Sequence, residues 1–257
     1  MHIPTGDNGE VQLALVSLLL VIVALLVMRA VSRERREYGR FKRLRNTVAR
    51  RKVYRRWLRE SFFMFGGLAA VVLIATSQYV APVLADTREW SPIARTLAAI
   101  DTPLGTAITL AVVALVLAVL ILPIFLLRNE KEAIPTVGDI GALLPRNRGE
   151  LVYGAALGIN AGVVEELLFR FALPALLFGI LGNGPVAFLL ATLLFGMLHL
   201  YQGPVGVLTS AILGLVFCAI YVLSGSIVLA VAVHAIFDLR SLLLIPVVVM
   251  KVHRVAT

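Results

Sequence analysis

"ELVYGAALGINAGVVEELLFRFALPALLFGIL", residues 150–181, is long and apolar enough to lie in a bilayer, yet it holds Glu165, Glu166 and Arg170 near its middle. A helix needs about 20 residues to cross about 30 Å of hydrocarbon. A charged side chain at the centre of such a helix costs about 2.5–3.5 kcal/mol on insertion scales, so it ordinarily faces protein or a water-filled cavity and has a partner. On a helix, Glu166 and Arg170 stand at i and i+4 with the acid on the N-terminal side, the favoured order for an ion pair. Glu165 points about 100° away from Glu166. The spacing therefore separates two roles: Glu166 and Arg170 neutralise each other, while Glu165 is left without a local partner. A charge cluster that merely fixes helix packing would explain the pair but not the third charge.

The surrounding chain has the same character. Of 257 residues, 60% are hydrophobic and only 15% charged, with a mean hydropathy of +0.93; soluble domains run at about half apolar and about a quarter charged. The continuous apolar runs lack the alternation of an outer-membrane barrel. The fold class expected is thus an all-α polytopic membrane protein of about seven transmembrane helices. The runs fall at residues 12–29, 61–82, 104–127, 150–182, 184–200, 204–223 and 226–249. No internal repeat is evident. The first run ends in "MRAVSRERR" with no small-residue cleavage site, so it reads as an uncleaved span rather than a signal peptide. The single cysteine, Cys218, excludes an intramolecular disulfide framework.

Charge sets the expected orientation. Between Arg29 and Glu60, fourteen Arg and Lys residues face only Glu34, Glu37 and Glu60, an excess larger than the net +9 of the whole chain. The positive-inside rule puts this segment in the cytoplasm, the N-terminus outside and, after seven crossings, the C-terminus inside. Arg128, Lys131, Arg146 and Arg148, and the terminal "KVHRVAT", agree. A basic run also suits nucleic acid, but no aromatic RNA platform or DNA-binding module accompanies it, so nucleic acid is not an expected partner. Tyr38, Phe41, Leu44 and Val48 recur at helical spacing, as in a basic helix lying along an anionic leaflet. Residues 29–59 are therefore expected to contact anionic lipid.

Two further polar intrusions accompany Glu165. "FGMLHL" places Phe195 and His199 at i and i+4, and "AVHAIFDL" places His234 and Asp238 on one helical face. A single histidine near an interface is more often a packing residue, and a His and Asp pair can simply join helices for well under 2 kcal/mol. Together, however, Glu165, His199, His234 and Asp238 provide a general base, two imidazoles and a further polar group. That set fits a hydrolytic cavity between helices. Two His and two carboxylates would also make a plausible zinc set with an activated water, and intramembrane Glu, His and Asp serve proton pathways as well. No HExxH is present.

These residues carry a resemblance. "EELLFR", "FGMLH" and "HAIFD" resemble, in order and about 35 residues apart, the EExxxR, FxxxH and HxxxN/D motifs of the CPBP family, the CAAX protease and bacteriocin-processing (ABI) proteins. The resemblance spans roughly residues 150–245. It implies a metal-independent intramembrane glutamic endopeptidase without a cofactor, acting on a membrane-associated protein or peptide in a bacterial cell membrane. It also implies that Glu165 with His199 activates the attacking water and that His234 and Asp238 stabilise the oxyanion. Glu166, Arg170 and Phe195 support the site or orient substrate. Some relatives act only as immunity or scaffolding proteins. The usual Asn of the last motif is Asp238 here, and an ionised carboxylate cannot donate a hydrogen bond. Either Asp238 is protonated or it orients His234, and the spacing favours the second.

The expected organisation is an N-terminal helix and basic segment (1–60), two further helices with their loops (61–149), a catalytic core of four helices (150–249) and a short basic tail (250–257). One geometric problem accompanies it. A straight helix entering near Glu150 places Glu165 about 22 Å along its axis, whereas His199 belongs near the cytoplasmic end. Gly154, Gly158, Gly162 and Pro174 offer places for bending or close approach. The reading preferred here is that part of "RNRGELVYGAAL" lies above the membrane.

Overall fold

The computed structural model describes residues 9–126, 128 and 139–255, with the backbone alone for 32–35. Lys131 of the orientation argument, and the side chains of Arg33, Glu34 and Arg35, lie outside the described residues. Every regular element among them is helical, and the protein is an all-α polytopic membrane protein. Five helical runs are long and apolar enough to cross a membrane: Gly9–Lys42, Thr47–Glu89, Pro103–Leu126, Leu200–Ser224 and Ile227–Val248. They coincide with five of the seven expected runs. The other two runs correspond to the helical stretch bearing Glu165 and to a shorter apolar helix, Gly184–Met197.

The described residues open with α1 (Gly9–Met28), a widened π-helical turn at Arg29–Glu34, and α2 (Arg35–Lys42). A break follows, and α3 (Thr47–Ser61) starts where the Asn46 side chain accepts from the Ala49 amide at 3.0 Å. A second π turn, Phe62–Gly66, leads into α4 (Gly67–Glu89). Next come α5 (Ser91–Ile100) and α6 (Pro103–Leu126), the latter exposing apolar side chains around most of its circumference, as lipid contact requires.

The second half opens with α7 (Arg148–Glu166), whose first turn is capped by Asn147 on the Glu150 amide at 3.2 Å. A π turn at Leu167–Ala172 joins it to α8 (Leu173–Leu181). Then follow α9 (Gly184–Met197), α10 (Gly203–Ser224), α11 (Ile227–Leu239), a π turn at Arg240–Leu244 and the short α12 (Ile245–Val248).

The main core lies where α1, α4, α8, α9 and α10 surround the α7–α8 junction, with Leu168, Phe169, Leu173, Leu176 and Ala191 fully or almost fully buried. The last turn of α4 clasps two neighbours. Asp86 accepts from the Gly184 amide at 2.7 Å, an anion at the N-terminus of α9, and Arg88 donates to the Val222 and Leu223 carbonyls at 2.7 and 3.0 Å, a cation at the C-terminus of α10. Both match the helix dipole.

The basic segment departs from expectation. It is two helices, and Tyr38 and Phe41 do not face a leaflet: they are buried against Tyr54, with Trp57 and Leu143 packed around them. Arg50 is likewise buried, with Nε at 3.1 Å from both Glu150 oxygens and Nη2 donating to Tyr54 and to the Ala142 and Leu144 carbonyls. Removing one partner of a buried pair typically costs about 3–5 kcal/mol, because the other charge is stranded. This pair therefore fixes α3 along the first half of α7. The outward face of α2 and α3, with the break between them, keeps Arg40, Arg43, Arg45, Lys52, Arg55 and Arg59 exposed.

That packing bears on the position of Glu165 along the helix. Ser61 ends α3 at the start of the apolar run and receives a hydrogen bond from Asn160 Nδ2 at 3.0 Å. The part of α7 before Asn160 thus runs beside the charged part of α3. Glu165 lies only about 7.5 Å further along the axis at 1.5 Å per residue.

Candidate active site

The three motifs meet because α7 and α11 pack almost backbone to backbone. Gly154, Gly158 and Gly162 form one stripe on α7, and a methyl group added at each would fall 2.8 Å from the Leu242 carbonyl, 3.0 Å from Asp238 Cβ and 2.7 Å from the Ala235 nitrogen. Only hydrogen at these positions permits so close an approach. The π turn at Leu167–Ala172 follows directly after Glu166 and widens the helix there; such turns recur at functional sites.

Glu166 is fully buried and holds two partners. Its Oε1 lies 3.2 Å from Arg170 Nη1 and accepts from His234 Nδ1 at 2.7 Å. The i,i+4 pair read from the sequence is present. The orienting contact on His234, in contrast, comes from Glu166 and not from Asp238. With Nδ1 committed, His234 Nε2 is the nitrogen that faces the two remaining carboxylates, 3.9 Å from Asp238 Oδ2 and 4.0 Å from Glu165 Oε2. These are ion-pair separations, too long for direct hydrogen bonds.

His199 ends α9. Its Nδ1 lies 2.9 Å from the Phe195 carbonyl. A carbonyl only accepts, so Nδ1 carries the proton and Nε2 of the neutral ring is the basic nitrogen. Phe195 is the common wall: its ring lies 4.3 Å from the Arg170 guanidinium carbon, with centroids 4.8 Å from His199 and 6.3 Å from His234. Arg170 also donates to the Gly214 carbonyl at 3.1 Å, and Phe217 stacks on His234 at 4.4 Å. Glu165 and His199 line one cavity of about 140 Å³, together with Phe169, Phe195 and Leu198. Among the described residues no group of three or more His, Cys, Asp or Glu is arranged to hold a metal ion.

Residues 147–240 match the family model described as type II CAAX prenyl endopeptidase, Rce1-like. Over this stretch the chain is similar to the CAAX proteases. All of the residues singled out from the three motifs fall within it. No curated protein and no solved structure matches the chain.

The matched stretch does not enclose the cavity alone. Arg29, Tyr38, Trp57, Ser61 and Phe65, all N-terminal to the matched stretch, also line it. Sequence reading missed them, and it missed Asn160 and Phe217. A lone Asn in the apolar run "GINAG" was a usable signal, since a buried amide in a membrane helix needs a partner. Trp57 and Tyr38 sit in a charge-rich segment where nothing in the spacing marks a wall of a cavity over 100 residues away.

Proposed function

We propose that the protein is a metal-independent intramembrane endopeptidase in which Glu165, with His199, activates water for attack on a peptide bond. The family match supports a membrane endopeptidase in general. The observation that favours the finer reading is the shared cavity: Glu165 and His199 line one space, whereas Glu166 is withdrawn to Arg170 and His234. Glu165 takes a proton from water as the oxygen attacks the carbonyl carbon, and the proton passes to the leaving amine as the carbon–nitrogen bond breaks. His234, held through Nδ1, presents Nε2 at the edge of the same acidic group, and in its doubly protonated form donates to the developing oxyanion. Asp238 flanks that nitrogen. The substrate is a peptide or protein segment presented from the membrane, and the exposed basic face of α2 and α3 rests against anionic lipid on the cytoplasmic side.

The test uses vesicles that hold the full chain together with membrane proteins from cells lacking it, with new peptide N-termini labelled and counted. Wild type is expected to generate a set of termini that Glu165→Gln does not, and that set should persist after exhaustive chelation. Identical profiles for wild type and Glu165→Gln would refute the protease reading. Loss of the set on chelation and its return with zinc would refute metal independence.

A further inference from the structure

The reaction needs neutral donors for peptide oxygens, and Asp238 supplies none when ionised. The cavity offers one from outside the matched domain. Ser61 sits at the junction of α3 with the π turn Phe62–Gly66 and lines the cavity with Glu165 and His199. Asn160, five residues before Glu165 on α7, donates from Nδ2 to Ser61 Oγ at 3.0 Å. A hydroxyl has one proton and two lone pairs. The Asn160 bond occupies an acceptor position, and the Ser61 proton meets no acceptor among the described residues. Its neighbours in the wall are differently placed: Tyr38 donates to the Asp139 carbonyl, and Trp57 Nε1 donates to Glu37 at 2.9 Å.

We propose that Ser61, oriented by Asn160, donates a hydrogen bond to a carbonyl oxygen of the bound peptide beside the scissile bond. This rests on the endopeptidase reading above. Asn160 is a positioning residue: its NH2 forces the serine proton away from α7 and into the cavity. A peptide carbonyl entering an apolar cavity without a donor loses its hydrogen bonds to water and is destabilised. Ser61 answers that need from a residue outside the matched stretch.

A simple staple between α3 and α7 would use the same two residues, and one substitution separates the possibilities. In Asn160→Asp the carboxylate accepts the serine proton, so the staple persists with its direction reversed while the donor is withdrawn. In the vesicle assay, Ser61→Ala and Asn160→Asp should each slow formation of the Glu165-dependent termini by about tenfold, the worth of one such hydrogen bond. Ser61→Thr, which keeps the hydroxyl, should remain near wild type. The double variant Ser61→Ala with Asn160→Asp should be no slower than either alone, because both act through one proton. Unfolding midpoints of Asn160→Asp and wild type should agree. Wild-type rates in Ser61→Ala or in Asn160→Asp, or a double variant slower than both, would overturn the assignment while leaving the endopeptidase reading intact. An empty set of Glu165-dependent termini removes that reading and this inference with it.

Discussion

Glu165 and Glu166 are chemically identical neighbours that the fold sends to different places. Their division was legible because 100° per residue separates them and because Arg170 stands one turn beyond Glu166 only. The second partner of Glu166 was not legible: His234 lies 68 positions away, and the sequence placed Asp238 nearer to it. This changes what Glu166→Gln should do. The amide can still accept from His234, but Arg170, buried over Phe195, loses its counter-charge. The expected loss is about 3–5 kcal/mol, seen as a lower unfolding midpoint, with activity reduced because the His234 ring loses a charged anchor. Glu165→Gln should unfold with wild type, since Glu165 makes no hydrogen bond below 3.5 Å among the described residues and approaches His234 only at 4.0 Å. Equal midpoints for the two variants would contradict the division.

At the scale of elements, the glycine stripe on α7 was readable and its partner was not. Four-residue spacing of Gly154, Gly158 and Gly162 announces a flat helix face, but any of several apolar helices could have met it. The π turns were not readable either, because each is a one-residue slip in hydrogen bonding that leaves no periodic mark in an apolar run. Gly162 lies within one turn of Glu166 and faces the residue after His234. A methyl group there would meet the Ala235 nitrogen at 2.7 Å and its Cα at 2.9 Å, backbone atoms that cannot swing aside. Gly162→Ala should therefore separate α7 from α11, stretch the 2.7 Å bond between Glu166 and His234, and cost about 1–3 kcal/mol. Gly67→Ala on α4, where nothing lies within 4 Å, should leave both the unfolding midpoint and the Glu165-dependent products unchanged. Equal behaviour of the two alanine variants would show that the helices do not meet this closely.

For the molecule as a whole, composition and run length disclosed a helical membrane protein, and three short motifs pointed to the helices that bring Glu165, Glu166, His234 and Asp238 together. What they concealed is that the basic segment folds back to line the cavity that Glu165 and His199 share. Buried Arg50 reads in sequence as one more cytoplasmic cation; its role depends on Glu150, 100 positions distant, and no local pattern encodes a contact of that span. The same segment still provides the orientation test. If the basic face lies in the cytoplasm, the cavity walled by Tyr38, Trp57 and Ser61 opens near that side, and substrate must approach from there or laterally through the inner leaflet. Lys52 is exposed on α3 and away from the buried pair, so Lys52→Cys in a Cys218→Ser background introduces a single accessible thiol. In sealed inside-out vesicles a membrane-impermeant maleimide should label it fully, and in right-side-out cells it should label only after permeabilisation. The reverse pattern would invert the chain and place the site at the outer surface. Substrates would then have to be sought among exported segments, not among proteins delivered from the cytoplasm.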